Sequence, residues 1–310
     1  MAKVYIDGQS GTTGLQIFDR IASRDDLELL RIDEDKRHDT DERRRFINAA
    51  DIVFLCLPDE GAREAVALVE NPDVCVIDAS TAHRTAEGWT YGFAELNAGQ
   101  RAAIAASKRI ANPGCHATGF ISVTAPLVQA GILPRDYPLA CYSLTGYSGG
   151  GKRMIADYEA EGRPVALDAP GIYGLSLRHK HLPEMQKVCC LTQPPVFMPV
   201  VDDYYKGMAT SIMLHNRLLA GTPTAEEVHA CLTKHYAGQR LVSVMPFGAN
   251  DPVLYANGLA GTNELRVVVC GNEEHTTVTA LFDNLGKGAS GAAVQNMNIV
   301  LGIDETTGLV

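Results

Sequence analysis

The sequence predicts an α/β fold in two domains, the first built on a parallel sheet and the second on a largely antiparallel one. Two observations carry this prediction. Over residues 3–111 short apolar strands alternate with helical patterns, and from residue 139 onwards strands follow one another with few helices between them. The chain of 310 residues is long enough for each domain to bury its own core.

The first strand, residues 3–7, runs directly into the glycine-rich turn Gly-Gln-Ser-Gly-Thr-Thr-Gly, and a helical pattern follows from Leu15 to Ile21. A strand, a glycine turn and a helix in this order point backbone N–H groups at a pyrophosphate, which predicts a Rossmann-type dinucleotide-binding domain. The spacing is GxxGxxG, whereas the usual fingerprint is GxGxxG. The candidate cofactor-binding residues of this turn are Gly8, Ser10, Gly11, Thr12, Thr13 and Gly14.

The alternation continues along the first domain. Further strands are predicted at residues 27–32, 51–57, 74–78 and 109–111, and helices at 43–50 and from Ala62. Ligands of a doubly wound sheet bind past the carboxyl ends of its strands. This rule adds Leu57, Pro58 and Ser80 to the cofactor candidates. The basic run 43–45 follows acidic residues and is predicted to be a solvated helix face.

The second domain is predicted to be α+β. Its strands are expected at residues 139–145, 196–201, 208–216, 241–245, 265–271 and 275–281. A helix at 224–236 is capped by Thr222 or Thr224. We expect a dinucleotide-binding domain over 1–115, a catalytic and dimerisation domain over 116–285, and a terminal helix within 286–310 that packs on the first domain.

Composition excludes several classes of protein. The formal charge of −10 argues against nucleic-acid binding, and no apolar run reaches membrane-spanning length. Residues 1–3 lead into a strand without a signal-peptide pattern. Among the eight cysteines, four lie in apolar runs and are predicted to be core thiols of a reducing compartment, the cytoplasm: Cys56, Cys75, Cys141 and Cys270.

Cys115 is the candidate nucleophile. Pro113 and Gly114 form a tight turn before it, and an apolar helical pattern begins after it. A thiol in the first turn of a helix is biased towards the thiolate, the form that attacks carbon. The competing interpretation is a buried cysteine that packs as a small hydrophobe.

The segment Arg178-His179-Lys180-His181-Leu-Pro-Glu184 is the densest group of basic donors in the chain. If it is extended, His179 and His181 share a face. We assign His181 as the acid–base partner of the cysteine, since histidine has a suitable pKa. A zinc pair and a solvated loop are the alternatives. His116 is expected to be structural, because on a helix it points away from Cys115.

Other polar groups complete the candidate site. Arg84 follows a strand end and could clamp an anion, although a surface arginine explains it equally well. The glycines of 147–152 and of 284–291 could approach a ligand or simply form turns. The resulting substrate candidates are Arg84, Asn112, Arg178 and His179, and the further cofactor candidates are Gly149, Gly150, Asn284 and Lys287.

Together and in this order, these motifs resemble the N-acetyl-γ-glutamyl-phosphate reductases in their shorter, type 2 form, within the aspartate-semialdehyde dehydrogenase superfamily. The resemblance covers essentially the whole chain. Its most specific parts are Asn112-Pro-Gly-Cys115 and the His-x-Pro-Glu segment ending at Glu184. The sequence departs from the longer form in its shortened middle, in Gly149-Gly150, and in Lys180 where that form carries arginine.

The resemblance implies an NADPH-dependent acyl-phosphate reductase (EC 1.2.1.38) that acts in arginine biosynthesis through a thioester on Cys115. The residues themselves leave the cofactor open. Asp33 could hold a ribose hydroxyl as in NAD proteins, whereas Lys36 and Arg37 could hold a 2′-phosphate. We follow the resemblance and expect NADP.

Three alternatives stay open at this point. The chain could reduce another acyl phosphate, such as an aspartyl or aminoadipyl phosphate. It could be a non-catalytic dinucleotide sensor, or a metal-dependent hydrolase that uses His179 and His181. The expected partners are a small acyl phosphate and further copies of the chain in a homodimer or homotetramer, with no nucleic acid and no membrane.

Overall fold

The computed structural model describes residues 1–248 and 253–309, which form two compact units. The first unit contains residues 1–94 and 99–113 and the described chain from 289 onwards. The second contains residues 95–98 and the described chain between 114 and 288. Cys115 therefore lies in the second unit, whereas the expected boundary placed it at the end of the first. The sequence did not indicate that residues 95–98 join the second unit.

The first unit contains a parallel sheet with the strand order β2-β1-β3-β4-β6-β5. Its strands are β1 (Ala2–Asp7), β2 (Leu27–Leu30), β3 (Ile52–Leu55), β4 (Cys75–Asp78), β5 (Thr90–Tyr91) and β6 (Arg109–Ala111). Every residue of β3 is buried, as its continuous apolar sequence predicts for a central parallel strand. The carboxyl ends of these strands share one edge of the sheet, and the glycine turn follows β1 at that edge.

Helices cover this sheet. They are α1 (Thr12–Ile21), α2 (Thr40–Ala49), α3 (Asp59–Ala67), α4 (Gln100–Ala106) and, from the C-terminal segment, α9 (Gly291–Val300). Helix α2 begins before the predicted residue 43, because the Asp39 side chain accepts hydrogen bonds from the Asp41 and Glu42 N–H groups and caps the helix there. The core between α2, α3 and the sheet includes Tyr5, Ile47 and Val53.

The second unit contains a mixed sheet with the strand order β11-β12-β13-β10-β7-β9-β8. Its strands are β7 (Ala140–Gly146), β8 (Gly171–Ile172), β9 (Val196–Asp202), β10 (Met208–His215), β11 (Val242–Val244), β12 (Leu265–Gly271) and β13 (His275–Phe282). The pairs β7–β9 and β11–β12 are parallel, and the other pairs are antiparallel. The prediction of a largely antiparallel sheet is confirmed.

Helices pack on this sheet. The helices of the unit are α5 (Cys115–Gln129), α6 (Gly151–Glu159), α7 (Leu182–Val188) and α8 (Ala225–His235). Helix α5 is buried from His116 to Leu127, which explains its continuous apolar sequence. Thr224 rather than Thr222 caps α8, in a capping box with Glu227.

The cysteines are free thiols. Cys75 and Cys141 are buried in strands as predicted, and Cys56 is half-buried. The prediction for Cys270 is wrong, because this residue lies at the exposed end of β12, where the burial of the strand stops. Within the described residues, we find no helix with both the length and the apolar character needed to cross a membrane.

Candidate active site

Cys115 is the first residue of α5, as the sequence predicts. Gly114 caps the helix through its backbone, with no side-chain hydrogen bond to the first turn. The half-buried thiol therefore lies at the positive end of a helix dipole, where a thiolate is stabilised. The α5 helix behind it is packed on all sides, so the position of the thiol is fixed by the core.

His181 immediately precedes α7 and is 5% exposed. The segment before it is a turn and not the extended chain considered above, since the Leu182 N–H donates to the His179 carbonyl at 3.0 Å. The turn still brings the two imidazoles together. The ring centroids of His179 and His181 lie 4.7 Å apart and the rings are nearly perpendicular.

Glu184 connects the histidine segment to the cysteine turn. Its carboxylate is 1% exposed and accepts a hydrogen bond of 3.2 Å from the Gly114 N–H. Since His181 immediately precedes the helix of Glu184, and Gly114 precedes Cys115, this contact ties together the two segments that carry the predicted nucleophile and acid–base residue. The sequence indicated Glu184 only as part of a helix start.

His116 packs among these groups. Its ring centroid lies 5.5 Å from that of His179 and 5.8 Å from that of His181. Burial and the nearby positive charges of His179 and Lys180 lower the pKa of His116 to about 3. The imidazole is therefore neutral at physiological pH.

The glycine turn after β1 forms one wall of a cleft of about 790 Å³ in the first unit. Gly8 has a positive φ of 88°, and a Cβ there would collide with the Cys56 carbonyl. A Cβ at Gly14 would lie 2.6 Å from the Gly8 carbonyl oxygen. Of the predicted cofactor residues, the cleft is lined by Gly8, Ser10, Gly11, Leu57 and Pro58, and Thr12, Thr13 and Gly14 form the first turn of α1.

A buried ion pair lies in this cleft. Arg43 donates to Asp7 Oδ2 through Nε at 3.1 Å and Nη2 at 2.9 Å. Burial raises the pKa of Asp7, and Arg43 opposes that shift. The prediction of a solvated helix face is therefore wrong for Arg43, although Arg44 and Arg45 do pair with acidic residues at the surface.

The rim of the cleft carries further charges that the sequence left open. Glu34, Arg37 and His38 line it, and Arg37 Nη1 lies 3.1 Å from Glu34 Oε1. Asp33 and Lys36 are exposed and lie outside this lining. Because residues 33–38 are so close in the sequence, their order alone did not indicate which of them face the cleft.

Three predicted contact residues of the first unit bond to the protein itself. Arg84 donates to the carbonyls of Asn112 and Ala79, both at 3.0 Å, and so braces the chain after β4 and β6. The Asn112 side chain donates to the Ala289 carbonyl at 3.0 Å. Ser80 donates to the buried Asp78 carboxylate at 2.7 Å. These contacts favour a structural role for Asn112 and Ser80.

The glycine-rich segments of the second unit are also held internally. The Asn284 amide donates to Ser148 Oγ at 2.9 Å, and its oxygen accepts from the Gly207 N–H. Gly149 and Gly150 are both exposed, and a Cβ would lie 3.1 Å from Thr145 Oγ1 at Gly149 and would collide with Met154 Sδ at Gly150. Arg178 is exposed. Asn284 therefore joins segments of the fold, and its contact with a cofactor stays a prediction.

Lys287 is enclosed in the second unit. Its ammonium group is 1% exposed and lies 2.7 Å and 2.9 Å from the carboxylate oxygens of Glu95. Removing one partner of such a pair leaves a buried charge and costs about 3–5 kcal/mol. The next glycine, Gly288, lies against the thiol residue, since a Cβ there would be 3.1 Å from Cys115 Cβ. The placement of Lys287 therefore supports a structural role and not the predicted phosphate contact.

The described residues contain no group of three His, Cys, Asp or Glu side chains arranged to hold a metal ion. His179 and His181 thus lack a third such ligand within that part of the chain.

Two models of known protein domains match the chain. Residues 3–105 match the semialdehyde dehydrogenase NAD-binding domain, and residues 115–284 match the semialdehyde dehydrogenase dimerisation domain. The N-acetyl-gamma-glutamyl-phosphate reductase 2 of Pseudomonas putida is 52% identical over 96% of both chains. The chain belongs to the N-acetyl-γ-glutamyl-phosphate reductase family. The N-acetyl-gamma-glutamyl-phosphate reductase 2 of Nostoc sp. is 47% identical over 99% of both chains. The N-acetyl-gamma-glutamyl-phosphate reductase of Brucella ovis is 49% identical over 97% of this chain and 99% of its own.

Solved structures of aspartate semialdehyde dehydrogenases share the fold of this chain. Aspartate semialdehyde dehydrogenase II of Vibrio cholerae, complexed with ASA, aligns with a TM-score of 0.71 at 17% identity and covers 97% of this chain and 98% of its own. The Candida albicans enzyme, solved with NADP, aligns with a TM-score of 0.69 at 14% identity and covers 97% and 99%. The resemblance to this family inferred from the motifs is confirmed, and so is the predicted α/β fold.

Proposed function

We propose that this reductase converts N-acetyl-γ-glutamyl phosphate to N-acetylglutamate 5-semialdehyde with NADPH, through a thioester on Cys115, in arginine biosynthesis. The observation that carries the proposal is the thiol at the start of α5, tied through Gly114 and Glu184 to the helix that follows His181. The relatives described above are named N-acetyl-γ-glutamyl-phosphate reductase, and this chain aligns with almost their whole length.

The first step follows from the position of the thiol. The Cys115 thiolate attacks the acyl carbon, a carbon–sulfur bond forms, and the carbon–oxygen bond to phosphate breaks, so that inorganic phosphate leaves with the bonding pair. Backbone N–H groups in the first turn of α5 lie next to the thiol and stabilise the negative oxygen of the tetrahedral intermediate. The product of this step is the thioester.

The second half-reaction needs a hydride and a proton. NADPH, when bound, would supply the hydride that the thioester carbon accepts. His181, held at the start of α7, donates a proton as the resulting thiohemiacetal forms and accepts it again as the aldehyde is released and the thiolate returns. The perpendicular ring of His179 fixes the orientation of this imidazole.

The first unit fits a dinucleotide. The turn at Gly8 and Gly14 has no space for side chains, and the N-terminus of α1 lacks a side-chain cap, as expected where a pyrophosphate binds. We propose that Arg37 and His38, at the rim of the same cleft, hold the 2′-phosphate that distinguishes NADPH from NADH.

We expect Arg37→Ala to weaken NADPH binding about ten-fold and to leave NADH binding nearly unchanged, because one charge-assisted hydrogen bond to the 2′-phosphate is lost. Fluorescence titration of each dinucleotide measures this without turnover. Arg45→Ala, an exposed arginine paired with Glu42 and outside the lining of the cleft, is the matched control. Equal losses for both dinucleotides would contradict the assignment.

The substrate is tested by phosphate-dependent NADP⁺ reduction in the reverse direction, with N-acetylglutamate semialdehyde and aspartate semialdehyde compared. We expect turnover with the first aldehyde. Turnover with aspartate semialdehyde alone, or with an aminoadipyl semialdehyde, would support the same mechanism with a different substrate. Tight NADPH binding without turnover of any aldehyde would favour the dinucleotide sensor.

We propose that the chain forms a homodimer, or a homotetramer built from such dimers, through the exposed part of the second sheet's face that lies opposite α5. Adjacent strands of that face expose or half-expose a row of apolar side chains: Ala140, Tyr142, Val196, Met198 and Met213. Apolar patches of this kind mark protein interfaces. Their position in the part of the chain matched by the dimerisation domain supports the proposal.

We expect light scattering after size-exclusion chromatography to give at least twice the chain mass of 33.3 kDa. Met213→Lys should raise the monomer fraction, because it places a charge in the apolar row. Val165→Lys, at an exposed apolar residue outside that row, is the control. A wild-type monomer at micromolar concentration would contradict the proposed interface.

A further inference from the structure

A buried chain of hydrogen bonds begins beside the nucleophile and has no part in the steps above. His116 is 3% exposed, and both ring nitrogens have partners: Nδ1 lies 2.8 Å from Ser143 Oγ, and Nε2 lies 2.6 Å from the Tyr173 hydroxyl. Ser143 Oγ in turn lies 2.7 Å from Thr210 Oγ1. These four side chains form one continuous chain, from strands β10 and β7 through α5 to the residue after β8.

The direction of this chain follows from its buried end. Thr210 and Ser143 are both fully buried, and among the described residues the Thr210 hydroxyl has no hydrogen-bond partner other than Ser143. A buried hydroxyl proton without an acceptor is costly, so Thr210 donates to Ser143. Ser143 then donates its own proton to Nδ1 of His116.

This order decides the tautomer of His116. The imidazole is neutral, because burial lowers its pKa to about 3, so one ring nitrogen accepts and the other carries the proton. With Nδ1 accepting from Ser143, Nε2–H donates to the Tyr173 oxygen. The Tyr173 hydroxyl proton is thereby directed away from His116.

Tyr173 lies among the groups of the active site. Its ring centroid is 6.1 Å from that of His179, and the residue is half-buried. Burial, followed by the negative charge of Cys115, raises the pKa of Tyr173, so the phenol stays protonated. The Tyr173 hydroxyl is bonded to His116, the residue next to Cys115 in the chain. The other charges that act on His116 are those of His179 and Lys180.

We propose that His116 is a positioning residue that turns the Tyr173 hydroxyl proton towards the negative charge at Cys115. The phenol acts on that charge through its O–H dipole and transfers no proton. The role in turnover rests on the proposed function, whereas the effect on the thiol does not depend on it.

The test compares two variants that both place a side-chain amide at position 116 but differ in side-chain length. The His116→Gln amide reaches the position of Nε2 and can still donate to Tyr173, whereas the His116→Asn amide reaches only that of Nδ1. The pH dependence of Cys115 alkylation by iodoacetamide, followed by mass spectrometry of the Cys115 peptide, reports the apparent pKa of the thiol in the full chain. We expect His116→Asn and Tyr173→Phe each to raise the apparent pKa of the Cys115 thiol by about one unit, and His116→Gln to raise it clearly less.

The double variant His116→Asn/Tyr173→Phe should show no further shift, because His116 acts through Tyr173. In turnover, His116→Asn should lower kcat about ten-fold with little change in KM. If the pH dependence of Cys115 alkylation is the same in Tyr173→Phe as in the wild type, the proposal is overturned. This outcome can be read even if His116→Asn does not fold. Equal losses of Tm in the two His116 variants with unchanged alkylation would make His116 a core residue only. A wild type without reductase turnover would overturn the proposed function and leave the alkylation test in place.

Discussion

Cys115→Ser is expected to lower kcat by roughly 10³-fold or more, because a serine hydroxyl is almost entirely protonated where the thiol is partly ionised and is a far weaker nucleophile. NADPH binding should be retained, since the thiol lies in the second unit and the glycine turn in the first. Steady-state rates and fluorescence titration of NADPH measure the two effects separately.

The matched control for this variant is Cys270→Ser, which changes an exposed thiol at the end of β12 and should leave the rate unchanged. A Cys115→Ser protein that keeps more than about a tenth of the wild-type rate would remove the thiol from the mechanism, since loss of a nucleophile costs orders of magnitude.

His181→Asn is expected to lower kcat by about 10²–10³-fold with a smaller change in KM, because the proton donor and acceptor of the second half-reaction is lost. Asparagine is a good residue at a helix N-cap, so α7 and its contact with Gly114 should be preserved. A full pH–rate profile measures the loss and reports whether a group near the histidine pKa still titrates.

His179→Asn is the comparison variant for His181. It removes the perpendicular ring and should have the smaller effect on kcat, because His179 orients the acid–base residue. If His179→Asn reduced kcat more than His181→Asn, the acid–base role would pass to His179.

The sequence predicted those parts of the molecule that depend on local patterns. The parallel sheet followed from alternating apolar strands and helices, and the position of Cys115 followed from the Pro113-Gly114 turn before an apolar helix. The Gly8 turn was identified because its conformation admits only glycine, as the positive φ and the nearby Cys56 carbonyl explain.

Long-range polar pairing could not be predicted in the same way. Arg43 lies within a charged run, and nothing local distinguishes it from Arg44, yet its partner Asp7 is brought beside it by the packing of α2 on β1. Lys287 pairs with Glu95, which is 192 positions away in the sequence. The glycines around the lysine suggested a phosphate contact, whereas the burial of both charges decides its role.

The contacts of Glu184 and His116 illustrate the same limit within the site. Glu184 lies one helical turn after His181, and its contact with the Gly114 N–H depends on how α7 packs against α5. The sequence predicted a structural role for His116, but it could not show its hydrogen-bond partners, Ser143 on β7 and Tyr173 just after β8.

The thioester at Cys115 is tested most directly by mixing the protein with N-acetyl-γ-glutamyl phosphate in the absence of NADPH. We predict a burst of about one equivalent of inorganic phosphate per chain and an N-acetylglutamyl group on the Cys115 peptide by mass spectrometry, because the thioester forms before any hydride is transferred. Addition of NADPH should then release the aldehyde and restore the thiol. Phosphate release only after NADPH is added, or an acyl group on another residue, would contradict a thioester at Cys115.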